Sequence, residues 1–167
     1  VPRSAKARLS HLDAAGAARM VDVSEKPVSV REAVASGRIR IGAPALRLAR
    51  SGRLRKGGVV EVARLAGILA AKRTSEAIPL CHPLALTHVD VELEPRRDGF
   101  SIVARVRTRA PTGAEMEALH AVAIAALTVY DMVKAADRRM TIDRLRLERK
   151  SGGASGVFVR ARRLKRR

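Results

Sequence analysis

The stretch 111–137, PTGAEMEALHAVAIAALTVYDMVKAAD, decides how the rest of the chain must fold. It predicts one long helix. Thr112 followed three residues later by Glu115 is a Thr-x-x-Glu capping box, with Pro111 and Gly113 marking the start. The body is rich in alanine, and 121–129 is apolar nearly all round, which implies burial on most sides, by a sheet and with another subunit as a second candidate cover. Glu115 and Glu117 stand near the start, where the helix dipole favours negative charge, and Asp131 and Lys134 stand near the end, spaced i,i+3 on one face. That last pair is the candidate chemistry. Glu117 and Asp131 lie about 40° apart around such a helix but about 21 Å apart along it. If both are functional, two chains must supply the two ends of one site, at a subunit interface.

The 167 residues, 47% of them hydrophobic, suit one domain with a core built from Ala, Val, Leu and Ile, since aromatics make up 2%. The expected organisation is a mobile arm over 1–18, a single catalytic domain over 19–159 and a basic tail over 160–167. The single Cys81 excludes an intramolecular disulfide within this sequence and favours a reducing compartment. No apolar run approaches the roughly 18–20 residues of a membrane-spanning helix, and VPRSAKARLSHLDAAGAARM lacks a signal-peptide core. The cytoplasm, with no membrane contact, is the expected location.

A net charge of +18 points first to nucleic acid and second to an anionic small molecule. Aromatics are too few for a base-stacking platform, no zinc-finger or RNA-recognition spacing occurs, and much of the excess is scattered as single arginines. Six of the last eight residues, Arg160 to Arg167, are basic, and they read as a solvated tail with non-specific affinity for polyanions. A nucleic-acid-binding module would bind duplex or RNA with a steep salt slope that is lost when 160–167 are removed. Arginine outnumbers lysine by 27 to 7, yet Lys56, Lys72, Lys134 and Lys150 fall in the stretches singled out here. Lysine is the cation whose proton affinity shifts on burial, so these are candidates for acid–base or phosphate-binding work.

In chain order, 20–24 (MVDVS) reads as a short strand, 28–36 as a short helix stopped at Gly37, 38–41 (RIRI) as alternating, and 44–50 as a helix. Lys56-Gly57-Gly58 then precedes a helix over 59–75, whose apolar positions Val62, Leu65, Ala66, Leu69 and Ala70 follow helical spacing. Free N–H groups at a helix start beside a lysine suit a phosphate, although Gly-Gly also makes an ordinary turn. In 78–83, IPLCHP, two prolines bracket Cys81 and His82 and hold the backbone extended, so that neighbouring side chains are presented together. A buried cysteine beside a structural histidine is the alternative. One Cys and four His form no zinc spacing, and Glu117-x-x-His120 is half of a carboxylate-bridged metal motif without a second copy, so no metal site is expected. Residues 89–94 and 100–107 alternate around the Asp98-Gly99 turn and form a hairpin. Residues 141–149 read as a further strand, and 150–156 (KSGGASG) as a glycine-rich loop that lets backbone approach an anion beside Lys150, or simply as a turn. Helix, strand, strand, helix, strand, strand, with a strand in front, is an α+β pattern: a ferredoxin-like antiparallel sheet with helices packed on one face.

Together MVDVS, REA at 31–33, KGG at 56–58, ARLAGILAAKRT at 63–74, IPLCHPL at 78–84, TGAEMEAL at 112–119, LTVYDMVKA at 127–135 and KSGGASG resemble the cyclic pyranopterin monophosphate synthase family of molybdenum cofactor biosynthesis. The resemblance spans roughly residues 10–158. It implies a phosphorus–oxygen lyase that converts 3′,8-cyclo-7,8-dihydro-GTP to cyclic pyranopterin monophosphate and releases pyrophosphate. It further implies a homohexamer, a trimer of dimers, with active sites at interfaces. By position, Asp131 and Lys134 carry over as the catalytic acid–base pair, Leu80, Cys81, His82, Met116 and Glu117 as substrate contacts, and Lys56 and Lys150 as phosphate-binding or catalytic groups. No cofactor is implied, with Mg²⁺ left open as a companion of the triphosphate. Gly58 stands where many relatives have Asp, Ala114 replaces a common Val and Val133 a common Cys; the first removes a polar group after Lys56. An inactive scaffold of the same family is the remaining alternative.

Overall fold

The structure, a computed structural model, describes residues 12, 15–51 and 58–161, so that Lys56, Gly57 and 162–167 lie outside the described residues. Its elements are β1 (Ser29–Arg40), α1 (Ala43–Arg50), α2 (Val59–Lys72), α3 (Thr74–Ala77), β2 (Leu86–Arg96), β3 (Gly99–Ala110), α4 (Glu115–Val133), β4 (Thr141–Ser151) and β5 (Phe158–Val159). The strands form one antiparallel sheet in the order β2-β3-β1-β4-β5. The first four strands and the helices between them give the ferredoxin-like double crossover, with β5 added at the edge.

The helices cover one face. Ala33, Ala35 and Ile39 of β1, Phe100, Ile102, Ala104 and Val106 of β3, and Val91 and Leu93 of β2 point into the core beneath Ala118, Ala121, Val122, Ala125 and Val129 of α4. His88 and Glu92 point the other way, as the alternation predicts. The β2–β3 turn is Arg97-Asp98, and Gly99 after it has no substitute: its φ is +150°, and a Cβ there would meet the Ile39 carbonyl oxygen at 1.9 Å.

Four local expectations change. Residues 28–36 are not helical: Ser29–Arg40 is the central strand, paired with β3 on one side and β4 on the other. Its alanines look like helix formers, but they are small because α4 lies close; a Cβ on Gly37 would fall 2.6 Å from Val122 Cγ1. Packing overrides propensity here. Residues 20–24 form no strand, and Val21 serves instead as a backbone acceptor for His82. The capping box is not formed: Ala114 is the N-cap, without a side-chain bond, and the Glu115 carboxylate folds back over Gly113 and toward Lys150 Nζ at 3.9 Å. On α2, the apolar positions named from the sequence are split. Val59, Ala63, Gly67, Ala70 and Ala71 face the core, while Val62, Leu65 and Leu69 form an exposed apolar stripe.

By length, 19 residues, and mean hydropathy, 1.4, α4 does reach what a membrane span requires, a point that counting uninterrupted apolar runs misses. It is a buried core helix, lying on the sheet and against α2. The crossing with α2 is close at Gly67, where a Cβ would meet the Ala121 carbonyl oxygen at 2.9 Å and Ala125 Cβ at 3.3 Å. Gly67→Ala gains helix propensity but forces the helices apart, and it is expected to lower stability by about 1–3 kcal/mol, read as the shift of a urea unfolding midpoint at unchanged slope.

Candidate active site

The site is built where β3 hands over to α4. Arg31 holds this junction: although charged, it is 9% exposed, and its guanidinium donates from Nε to the Ala110 carbonyl at 3.2 Å and from Nη2 to the Pro111 carbonyl at 3.1 Å. The glycine-rich loop after β4 closes over the same side chain. Gly152 (φ +92°) would place a Cβ 2.2 Å from the Val30 carbonyl oxygen, and Gly153 (φ +76°) would place one 1.4 Å from Arg31 Nη1. Glycine is therefore required at both places by backbone conformation and by contact. Lys150, the penultimate residue of β4 rather than part of the loop, directs its ammonium to Ser155 Oγ and toward Glu115.

Two depressions meet there. One, of about 350 Å³, is lined by Lys26, Arg31, Lys150, Ser151, Gly152 and Ser155 among others, and the second, of about 130 Å³, by Leu80, Cys81, His82, Leu84 and Met116. Thr112, Gly113 and Glu115 border both. The first carries three cations, Lys26, Arg31 and Lys150, against Glu32 and Glu115 and is rimmed by glycine backbone; the second is mostly apolar. Next to the second lies Glu117, 2% exposed, which accepts from Cys81 Sγ at 3.5 Å through Oε1, while Oε2 is buried with no hydrogen-bond partner among the described residues. Burial raises the Glu117 carboxyl above its usual range, and the Glu115 charge adds to this. Burial, and then the Glu117 carboxylate, push the Cys81 thiol up to about 11. Cys81 is thus a thiol and a hydrogen-bond donor at neutral pH, not a nucleophile. Its alkylation by iodoacetamide is expected to be slow up to pH 9, and Glu117→Gln, by removing a negative neighbour, is expected to lower the pH at which the rate rises. A pH–rate profile in both proteins checks the sign.

The extended Pro79-to-Pro83 segment presents its side chains as the sequence predicts. His82 donates from Nε2 to the Val21 carbonyl at 2.8 Å, which fixes that proton and leaves Nδ1 as the acceptor of the neutral ring. His120 is structural: the Thr74 hydroxyl donates to the Ala70 and Ala71 carbonyls, so it accepts from His120 Nδ1 at 3.2 Å. No group of three or more His, Cys, Asp or Glu that could hold a metal occurs among the described residues.

Leu80, Cys81, His82, Met116, Glu117 and Lys150 are therefore brought together at the N-terminal end of α4. Asp131 and Lys134 are not among them. They sit at the other end of the helix, joined at 2.6 Å with side chains 55% and 54% exposed, about 21 Å away by helical rise. Within its own chain the Lys134 side chain is only about half covered. Arg31 and Lys26 are lining residues that the sequence reading does not name as site residues. A usable signal for Arg31 existed: it shares strand parity with Ala33, Ala35, Gly37 and Ile39, and a charge at a core parity is seldom idle.

A ferredoxin-like sheet carrying a cationic, glycine-rimmed depression beside an apolar one with a buried carboxyl defines an enzyme for an anionic small molecule. Comparison with known proteins narrows this. A family model described as "MoaC family" matches residues 20–153. Curated relatives include the cyclic pyranopterin monophosphate synthases of Thermomicrobium roseum, 58% identical over 92% of this chain and 94% of its own, and of Methylobacterium sp. (strain 4-46), 58% identical over 92% and 97%. That of Chloroflexus aurantiacus (strain ATCC 29366) is 56% identical over 92% and 96%. The chain belongs to the MoaC family. Its activity is that of a cyclic pyranopterin monophosphate synthase, a lyase of molybdenum cofactor biosynthesis.

Proposed function

We propose that the substrate is 3′,8-cyclo-7,8-dihydro-GTP and that the two adjoining depressions divide it between them. The observation that carries this reading is their shared border at Thr112, Gly113 and Glu115, which sets a buried carboxyl and a cationic, glycine-lined surface side by side. The guanine-derived rings lie against Leu80, Met116 and Cys81, with the unpartnered Glu117 oxygen and His82 Nδ1 meeting ring N–H groups. The triphosphate lies along Lys150 and Arg31, joined by Lys56, with Mg²⁺ able to accompany it. Cation and backbone contacts stabilise the charge that grows on the departing pyrophosphate as the phosphate cyclises.

Opening and rebuilding the rings requires proton transfers, and we assign these to Asp131 and Lys134 of a second chain. Two features support this: the helical separation within one chain, and the exposed stripe of Val62, Leu65 and Leu69 with Leu127 of α4, an apolar surface suited to contact between copies. A homohexamer, a trimer of dimers with a site at each dimer interface, satisfies both. Residues 19–159 form the catalytic unit, 1–18 the arm, and the basic tail meets nucleic acid non-specifically at most. One cysteine held as a thiol suits the cytoplasm. Incubation with the cyclic dihydro-GTP precursor, followed by detection of the cyclic phosphate product and of pyrophosphate, tests the assignment; pyrophosphate without the cyclic phosphate would refute it.

A further inference from the structure

On the sheet face turned away from the helices, a third depression of about 330 Å³ is lined by Arg38, Arg96, Arg97, Arg144 and Arg146 and by one carboxylate, Asp98, among others. It shares no lining residue with the active-site cleft. Three of its arginines are balanced by acids: Arg38 by Asp98, Arg96 by Glu94 and Arg146 by Glu148. Arg97 and Arg144 have no acidic partner among the described residues, and Arg38 Nε is buried without an acceptor. Two guanidinium groups without an acidic partner thus line one hollow.

The backbone is bent to make it. Between the pairs Ser36↔Arg146 and Arg38↔Asp143, β4 carries one residue more than β1, and Arg144 within that bulge takes φ +57°. Residues with a bulky side chain seldom adopt this left-handed conformation, and bulges and strain of this kind gather where a side chain is being aimed. No aromatic or large apolar side chain among the described residues lines the hollow, so its chemistry is that of the guanidinium groups. Guanidinium forks match phosphate oxygens in pairs.

We propose that this hollow is a second anion site that takes a pyrophosphate group, either free or as the phosphate chain of a nucleotide. The test is calorimetric titration at low ionic strength in the Lys150→Ala background, where the catalytic cleft is weakened. That protein is expected to retain a pyrophosphate site, and Arg97→Ser with Arg144→Gly added is expected to weaken it at least about tenfold. Glycine suits φ +57°, and a melting curve checks the fold; should the triple variant not fold, Arg97→Ser alone in the same background must still weaken binding. Equal affinity for pyrophosphate and ATP identifies the phosphate chain as what is read, whereas much tighter binding of ATP identifies a nucleotide. With Lys150 intact, Arg97→Ser/Arg144→Gly should turn over substrate at the wild-type rate. Absence of pyrophosphate binding in Lys150→Ala, or binding unchanged by the arginine substitutions, overturns the proposal.

Discussion

Lys134→Ala and Asp131→Asn are each expected to lower kcat about 10²- to 10⁴-fold, the range of a positioned acid or base. Neither should destabilise the fold by more than about 1 kcal/mol, because the pair is half exposed and joined at 2.6 Å on the surface of its own chain. Loss of activity without loss of stability is the signature of a group placed for chemistry. The same substitutions also test the division of the site between chains. If Asp131 and Lys134 of one chain complete the cleft of another, then Lys134→Ala and Lys150→Ala chains, unfolded together, mixed and reassembled, form mixed dimers in which one site is doubly damaged and the other is intact. Random pairing restores about a quarter of wild-type sites. A mixture no more active than its components would mean that both groups act within one chain, which the length of α4 does not permit in a compact site.

Arg31→Lys is the second large effect. The substitution keeps the charge but not the fork, and an ammonium cannot reproduce the paired donation to the Ala110 and Pro111 carbonyls. Leaving one of these buried acceptors unpaired costs about 1–3 kcal/mol. The glycine loop also loses its support, since Gly153 lies directly against the guanidinium. A fall in the urea midpoint together with at least a tenfold fall in kcat/KM is expected, with the larger share in KM if Arg31 binds the triphosphate in substrate and transition state alike. A stability loss with unchanged kinetics would make Arg31 a structural residue and remove it from the phosphate surface.

Much of this architecture is legible without coordinates. The alternation of 100–107 about Asp98-Gly99 specifies the hairpin, and the apolar girth of 121–129 specifies a helix with cover on most sides; both are local patterns with a single physical solution. The helix-like composition of 28–36 conceals the central strand. With the strand unrecognised, its parity is invisible, and Arg31 cannot be seen as a charge pointing inward. The exposed stripe of α2 was likewise unreadable, because Val62, Leu65 and Leu69 satisfy helical spacing as well as Val59, Ala63 and Gly67 do.

Residue order and short-range spacing suffice for the class of fold, for the family, and for a carboxylate and an amine one turn apart near the end of a long helix. Tertiary structure alone decided which strand is central, which face of α2 is buried, and that Arg31, Gly153 and Lys150 meet beneath one loop. Those facts depend on the closeness of α4 to the sheet and on contacts between residues more than a hundred positions apart, where spacing carries no information and packing density chooses.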